Sequence, residues 1–290
     1  MNVHVVTPDW ESDWIIARLA SHLLRAHGWS VGKTPDESAD CNVFFPYLEW
    51  RHTKISSTPT AAWFTHREEN WPEKEAQWDE AAENLSLRVT PAKKYLTGLR
   101  EHGLSVQIYH PVELDMFKIG KRERHERPVL GVAGFIYSMS GRKGEFLLKR
   151  LQEEEGGRFT LKGAGVGWPI PTIHYLWEDM PGFYQGLDVY VCTALVEGGP
   201  VPPLEALACG IPIVIPEGVG AMDELPAMEG VYHYLRGDYE DMLGAIEEAL
   251  EYPGDPRELR AVAEAYSVGR WAHEWKRAVG VGCARRRADA

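Results

Sequence analysis

The stretch "VEGGPVPPLEALACGIPIVIPEGVGAMDELP", Val196 to Pro226, decides the fold. It follows "DVYVCTA", in which Asp188 to Ala194 reads as a buried strand. Pro202 and Pro203 suit the first positions of a helix, where a missing N–H costs nothing. "LEALAC" supplies the helix, Gly210 ends it, and "IPIVI" is the next strand. Strand, loop, helix, strand is one step of an open α/β sheet. Ligands of such sheets sit beyond the carboxyl ends of the strands, where a helix N-terminus offers N–H groups to anions. Glu197 falls on that rim and Glu205 in the first helical turn. Neither carboxylate suits a phosphate, because like charges repel at short range, but both accept from hydroxyl groups. A ligand with an anionic middle and polyhydroxyl ends meets both demands, as a nucleotide sugar does. Singly, each glutamate has an ordinary alternative: Glu205 complements the helix macrodipole, and Glu197 solvates a loop.

Outward from this stretch the chain alternates in the same way. "NVHVVTP" is a strand, and "DWIIARLASHLLRAHGWSV" sets Ile15, Leu19, His22 and Leu23 on one helical face before Gly28. "CNVFFPY", "TAAWFTH", "LRVTP" and "VQIYHP" read as strands, and "KEAQWDEAAENL" and "PAKKYLTGLREHG" as helices. "KIGKRERHERP", Lys118 to Pro128, is basic and without periodicity, and a fresh strand, "VLGVAGF", follows it. The expected domains are 1–122, 123–268 and a C-terminal helix 269–290 that packs back toward the N-terminal domain. The second domain runs through the helix "GEFLLKRLQEEEG", the strand "RFTLKGAG", the segment "WEDMPGFYQGL", the opening stretch and the helices "DYEDMLGAIEEALEYPG" and "PRELRAVAEAYS". Strict alternation implies mostly parallel sheets with helical crossovers on both faces.

Composition bounds the function. A chain of 290 residues, 44% hydrophobic, can bury two ordinary cores. A net charge of −12 argues against general affinity for nucleic acid or an anionic membrane. Cys41, Cys192, Cys209 and Cys283 are scattered without metal spacing and read as thiols of a reducing cytosol. No leader and no bilayer-length apolar run is visible, so a cytoplasmic protein without stable membrane insertion is expected.

The run E-G-G-P-x-P-P-L-E-A-L-A-C-G-I-P-I-V resembles the signature of the family 4 retaining glycosyltransferases, the group 1 glycosyltransferases, in which an E-x7-E pair precedes A-x-G-x-P-V-V. "GLSVQIYHPVELDMFK" is similar to the family's interdomain segment, and "AYSVGRWAHEWKRAV" to its C-terminal helix. The resemblance implies a GT-B fold, two Rossmann-like domains facing across a cleft, with the donor bound mainly by the second. It implies that Glu205 holds the nucleotide ribose and that Glu197 is set against the transferred sugar. Gly198, Gly199, Pro200, Val201 and Leu204 would line the donor, with N–H groups around Gly199 to Leu204 toward the phosphates. "SGRKGEF" places Arg142 and Lys143 like the basic pair that neutralises the leaving diphosphate, where fixed cations favour the transition state. His66 would face the donor sugar, and Tyr175 and Trp177 fall near the nucleobase.

Two departures from the pattern stand out. Phe135 occupies the place where the family has an arginine, and "PDWESDW" replaces a Gly-Gly loop after the first strand, offering Glu11, Ser12 and Asp13 to an acceptor. Trp10 and Trp14 there stack on a ligand or cover a helix. The alternatives for Arg142 and Lys143 are an exposed loop, for His66 an ordinary surface or core histidine, and for Tyr175 and Trp177 core packing. The reaction implied is retaining, front-face transfer of a hexose-type sugar from a UDP- or GDP-sugar to a hydroxyl acceptor, with no cofactor and no metal required. The acceptor is left open among a sugar, a metabolite, a protein and modified DNA. A binding module that has lost turnover, or another GT-B enzyme such as a nucleotide-sugar epimerase, are the alternatives.

Overall fold

Among the described residues, twelve strands form two six-stranded sheets in which every neighbouring pair is parallel. The structure is a computed structural model that describes residues 1–8, 15–53, 58–69, 71–121, 125–136 and 141–289, with side chains through residue 283. The chain divides into two units, Met1–His110 with Val268–Ala290, and Pro111–Ser267.

In the first unit the elements run β1 (Val3–Val6), α1 (Ile15–His27), β2 (Ser30–Gly32), β3 (Cys41–Phe44), α2 (Leu48–Thr53), β4 (Thr60–Trp63), α3 (Pro72–Asn84), β5 (Leu87–Thr90), α4 (Lys93–Glu101) and β6 (Ser105–Gln107). The sheet order is β2-β1-β3-β4-β5-β6. Strands β1, β3, β4 and β5 are buried along their whole length, as parallel strands covered on both faces must be. One face packs Val3, Val5, Val43, Trp63 and Val89 against Leu19 and Leu23 of α1 and against the last helix of the chain. That helix, Val268–Asp289, inserts Trp271 and Trp275 beside Trp63 and Phe45.

The second unit runs β7 (Val129–Phe135), α5 (Glu145–Glu155), β8 (Thr160–Val166), β9 (Thr172–Ile173), α6 (Met180–Gln185), β10 (Val189–Val191), α7 (Pro202–Ala208), β11 (Ile213–Pro216), β12 (Val231–Tyr234), α8 (Tyr239–Glu251) and α9 (Pro256–Glu264), and the last helix is α10. Its order is β12-β11-β10-β7-β8-β9. Side-chain alternation along β10 explains the two layers. Val189 and Val191 join the core under α5 and α8, while Tyr190 and Cys192 join the one under α6, α7 and α9.

The division between units falls at His110/Pro111 and at Ser267/Val268, whereas the basic stretch 118–128, expected as the linker, runs inside the second unit. Residues 111–117 are tied there by backbone and side chain. The Val112 N–H donates to the Tyr266 carbonyl at 2.8 Å. Arg260 donates to the carbonyls of Leu114 and Phe117 at 3.0 and 2.6 Å, and Phe117 is fully buried in that core. A further difference concerns β4, which stops at Trp63, so His66 lies in the loop beyond it rather than ending the strand.

Candidate active site

β7 opens the second sheet and lies between its successor β8 and the later strand β10. Chain order reverses at that point, so the loops leaving β7 and β10 open side by side at the carboxyl ends. The first loop carries Arg142 and Lys143, the second Glu197.

Glycine makes this meeting possible. Gly144 has φ 63°, and a Cβ added to it would overlap the Thr193 carbonyl oxygen. At that contact Thr193 Oγ1 donates to the Lys143 carbonyl at 2.7 Å, and the Leu195 N–H donates to the Arg142 carbonyl at 2.8 Å. Gly220, also at φ 63°, fixes the second loop from its other side: a Cβ there would overlap the Gly198 carbonyl oxygen, to which the Ala221 N–H donates at 2.8 Å. The "GVGAMDEL" stretch therefore serves as a brace for the loop that holds Glu197.

The side chains converge in consequence. Lys143 Nζ donates to Glu197 Oε1, and Arg142 Nη1 lies 3.5 Å from the same oxygen. Arg142 Nη1 also reaches the Val196 carbonyl at 3.4 Å. Two cations thus share one carboxylate on the rim of the sheet, across a sequence separation of 54 residues for the lysine. Glu145, buried at the start of α5, accepts from the Gly141 N–H at 2.8 Å and closes the turn before the basic pair.

Glu205 is different. It is 3% exposed, and its Oε2 accepts from the Tyr184 hydroxyl at 2.6 Å. Tyr184 is wholly buried, and desolvation, followed by the Glu205 charge, raises its pKa well above the ordinary tyrosine value. The phenol consequently remains a donor at working pH. Burial also pushes the Cys192 thiol up to about 11, which makes that residue a packed side chain and not a nucleophile.

The backbone donors expected between Gly199 and Leu204 are fewer than the stretch promised. Pro200, Pro202 and Pro203 have no N–H, and the Leu204 N–H donates to the Val201 carbonyl at 2.9 Å. Gly199 and Val201 are the positions that can still offer one to an anion.

The other expected residues are dispersed. Tyr175 and Trp177 pack against the core, ring to ring with Phe183 and Phe117 at 5.4 and 5.2 Å. Phe135 is 39% exposed at the end of β7, edge-on to His174 at 5.6 Å. His66 belongs to the first unit, where its Nε2 lies 3.3 Å from Glu68 Oε1 and its Nδ1 3.4 Å from Thr65 Oγ1. Lys74 Nζ reaches the same Glu68 oxygen at 3.1 Å. Glu11, Ser12 and Asp13, with Trp10 and Trp14, lie outside the described residues. Among the described residues no group of three or more histidine, cysteine or carboxylate side chains is placed to hold a metal. No helix among them is long and apolar enough to cross a membrane. Tyr184 and Gly220 are site residues that the sequence reading passed over; "GFYQGL" hides the tyrosine among ordinary core residues.

Residues 161–267 match the family model for group 1 glycosyl transferases. The matched stretch contains Tyr184, Glu197, Glu205 and Gly220 and begins after Lys143. No curated protein matches the chain in sequence. Among solved structures, sucrose-phosphate synthase from Thermosynechococcus elongatus superposes with a TM-score of 0.79 at 14% identity, over 100% of both chains. HepE from Anabaena, solved in complex with UDP and glucose, gives 0.75 at 12% identity, over 97% of this chain and 99% of that one. The apo form of the lipopolysaccharide outer core galactosyltransferase WaaB gives 0.72 at 12%, with the same coverage. Two parallel six-stranded sheets with flanking helices are the GT-B fold that the sequence resemblance implied.

Proposed function

We propose that this chain is a retaining glycosyltransferase that moves a hexose-type sugar from a nucleoside-diphosphate sugar, UDP- or GDP-linked, to a hydroxyl acceptor. The observation that carries the reading is the convergence of Lys143 and Arg142 on Glu197 at the chain reversal of the second sheet. A diphosphate arriving at that rim competes with the carboxylate for both cations. Glu197 is then released to accept from a hydroxyl of the transferred sugar, while Glu205, held by Tyr184, accepts from the ribose. As the bond from the sugar's anomeric carbon to the phosphate oxygen breaks, negative charge grows on the diphosphate, and Lys143 and Arg142 stabilise it. The acceptor oxygen bonds to the anomeric carbon on the same face, and its proton passes to the departing phosphate oxygen. This route needs no protein nucleophile, in keeping with front-face transfer. The neighbouring fold HepE, solved with UDP-glucose, supports a uridine donor.

A second reading, a nucleotide-sugar-binding module without turnover, draws on Phe135, an exposed aromatic where the resembling family has an arginine. One experiment separates the two. The protein is incubated with a panel of UDP- and GDP-sugars and a mixed library of sugars, small metabolites, proteins and modified DNA, and released diphosphate and product anomers are read by NMR. Diphosphate release with product of the donor's anomeric configuration supports the transferase. Binding with no release on any acceptor supports the module, and inverted product rejects the retaining mechanism.

A further inference from the structure

Tyr184 lies on α6 and Glu205 on α7, and neither is open to bulk solvent. A carboxylate buried to 3% exposure keeps its charge only if groups around it donate to it. The Tyr184 hydroxyl does so at 2.6 Å, in the short range of hydrogen bonds to an ionised acceptor. The phenol itself has little room to move. Its ring packs edge-on to Phe117 at 5.8 Å and to Phe183 at 5.2 Å, and tilted to Tyr190 at 5.8 Å. Phe117 is held in turn by its own carbonyl, which accepts from Arg260 at 2.6 Å, and a second bond of Arg260 goes to the Ala208 carbonyl at the end of α7 at 2.7 Å. The hydroxyl is therefore a fixed point, anchored in the same core as the helix that carries Glu205.

A glutamate has three side-chain torsions, and the last, which turns the carboxylate plane, is soft. A bond from a rigid phenol to Oε2 sets that plane. It thereby sets the direction from which a ribose hydroxyl can donate to the carboxylate. We propose that Tyr184 is a positioning residue for nucleotide recognition: by holding Glu205 Oε2 it orients the carboxylate toward the vicinal hydroxyls of the ribose, so that discrimination of ribose from deoxyribose depends on the Tyr184 hydroxyl. This rests on the donor-binding reading of Glu205 given above.

The test compares affinities for UDP and for 2′,3′-dideoxyuridine diphosphate, with GDP and its dideoxy counterpart where GDP binds more tightly. It is run on the full chain and on Tyr184→Phe. Loss of general packing weakens both nucleotides alike, whereas loss of positioning lowers only their ratio. The parent protein is expected to favour the ribonucleotide by about ten-fold or more, as hydrogen bonds to a charged acceptor do. Tyr184→Phe is expected to bring the ratio to about two-fold or less while the preference for UDP over uridine persists. Phenylalanine removes a donor from a buried carboxylate, so the ratio is also read in Glu205→Gln with and without Tyr184→Phe, where the acceptor carries no charge. There the discrimination left by glutamine is expected to fall with the phenol. A ratio unchanged by loss of the phenol in either background overturns the role of Tyr184 alone. Absence of any ribose preference in the parent, or of diphosphate binding altogether, overturns the donor reading of Glu205 and this proposal with it.

Discussion

Each sheet carries an ion-paired cluster beyond the ends of its strands, and the two clusters are built on different principles. In the first unit Glu68 takes His66 and Lys74 from two and six residues away, all within the loop and helix start after β4. In the second, Glu197 takes Lys143 from 54 residues away, across two loops pressed together at Gly144 and braced at Gly220. The first cluster is made of part-exposed side chains that could rearrange without moving the backbone. The second is brought together by the main chain, two loops whose backbones are bonded to each other. A charge cluster fixed by the main chain can stay in place while a substrate replaces one of its members, which is what stabilising charge at a defined point requires.

The sharpest way to break this contrast is at the contact itself. Gly144→Ala puts a methyl group onto the Thr193 carbonyl oxygen and asks a β-carbon to adopt φ 63°. It is expected to cost about 3 kcal/mol or more in chemical denaturation. A loss under about 1 kcal/mol would mean that the loops are not held as described. Next in size, Glu197→Gln keeps the volume and removes the charge that gathers Lys143 and Arg142. Turnover is expected to fall about 100-fold, with a smaller change in donor affinity, both read by steady-state kinetics and nucleotide titration. Parental turnover would remove Glu197 from the chemistry. Glu205→Ala strands the Tyr184 hydroxyl, so stability is expected to drop by about 1–3 kcal/mol together with donor affinity.

The first cluster yields the smallest effect. Glu68 is lowered from 4.5 to about 2, chiefly by the His66 hydrogen bond and then by Lys74, against the opposing desolvation. A depressed carboxylate stabilises the fold fully above the unfolded pKa of 4.5, and that contribution disappears as pH falls from 4.5 through about 2. Glu68 is part-exposed and solvent screens it, so Glu68→Gln is expected to change stability by less than about 1 kcal/mol at neutral pH. Melting curves taken between pH 5 and 2 should be flatter in the variant; the same slope in both would show that the cluster contributes nothing.

These two clusters also explain what the chain made legible. The β10–α7–β11 step was readable because its signals are local: a buried alternation, two prolines at a helix start and a glycine at its end. The parallel two-sheet fold followed from the same alternation along the rest of the chain. Less local features were not readable. Nothing in the spacing of "SGRKG" and "VEGG" says that one glutamate takes both cations, because the strand order brings the loops together. Tyr184 could not be matched to Glu205 for the same reason. The unit boundary at His110 falls within "GLSVQIYHPVELDMFK", which resembles an interdomain segment, but the basic, aperiodic run after it drew the expected linker downstream; the bonds of Val112 to Tyr266 and of Arg260 to Leu114 and Phe117 show where the second half of that segment belongs. Strand β12, "VYHY", lacks a clear apolar alternation, with both middle residues half-buried, and was passed over.

The Lys143–Arg142–Glu197 cluster is proposed as the diphosphate site. It is tested most directly by titrating UDP and uridine into the parent protein and into Lys143→Ala. An exposed loop lysine would leave both affinities alone and change stability by less than about 0.5 kcal/mol. A lysine that clamps the diphosphate instead leaves UDP binding weaker by about ten-fold or more while uridine binding and stability hold. UDP affinity equal in the two proteins would contradict it and move the phosphate site away from "SGRKG".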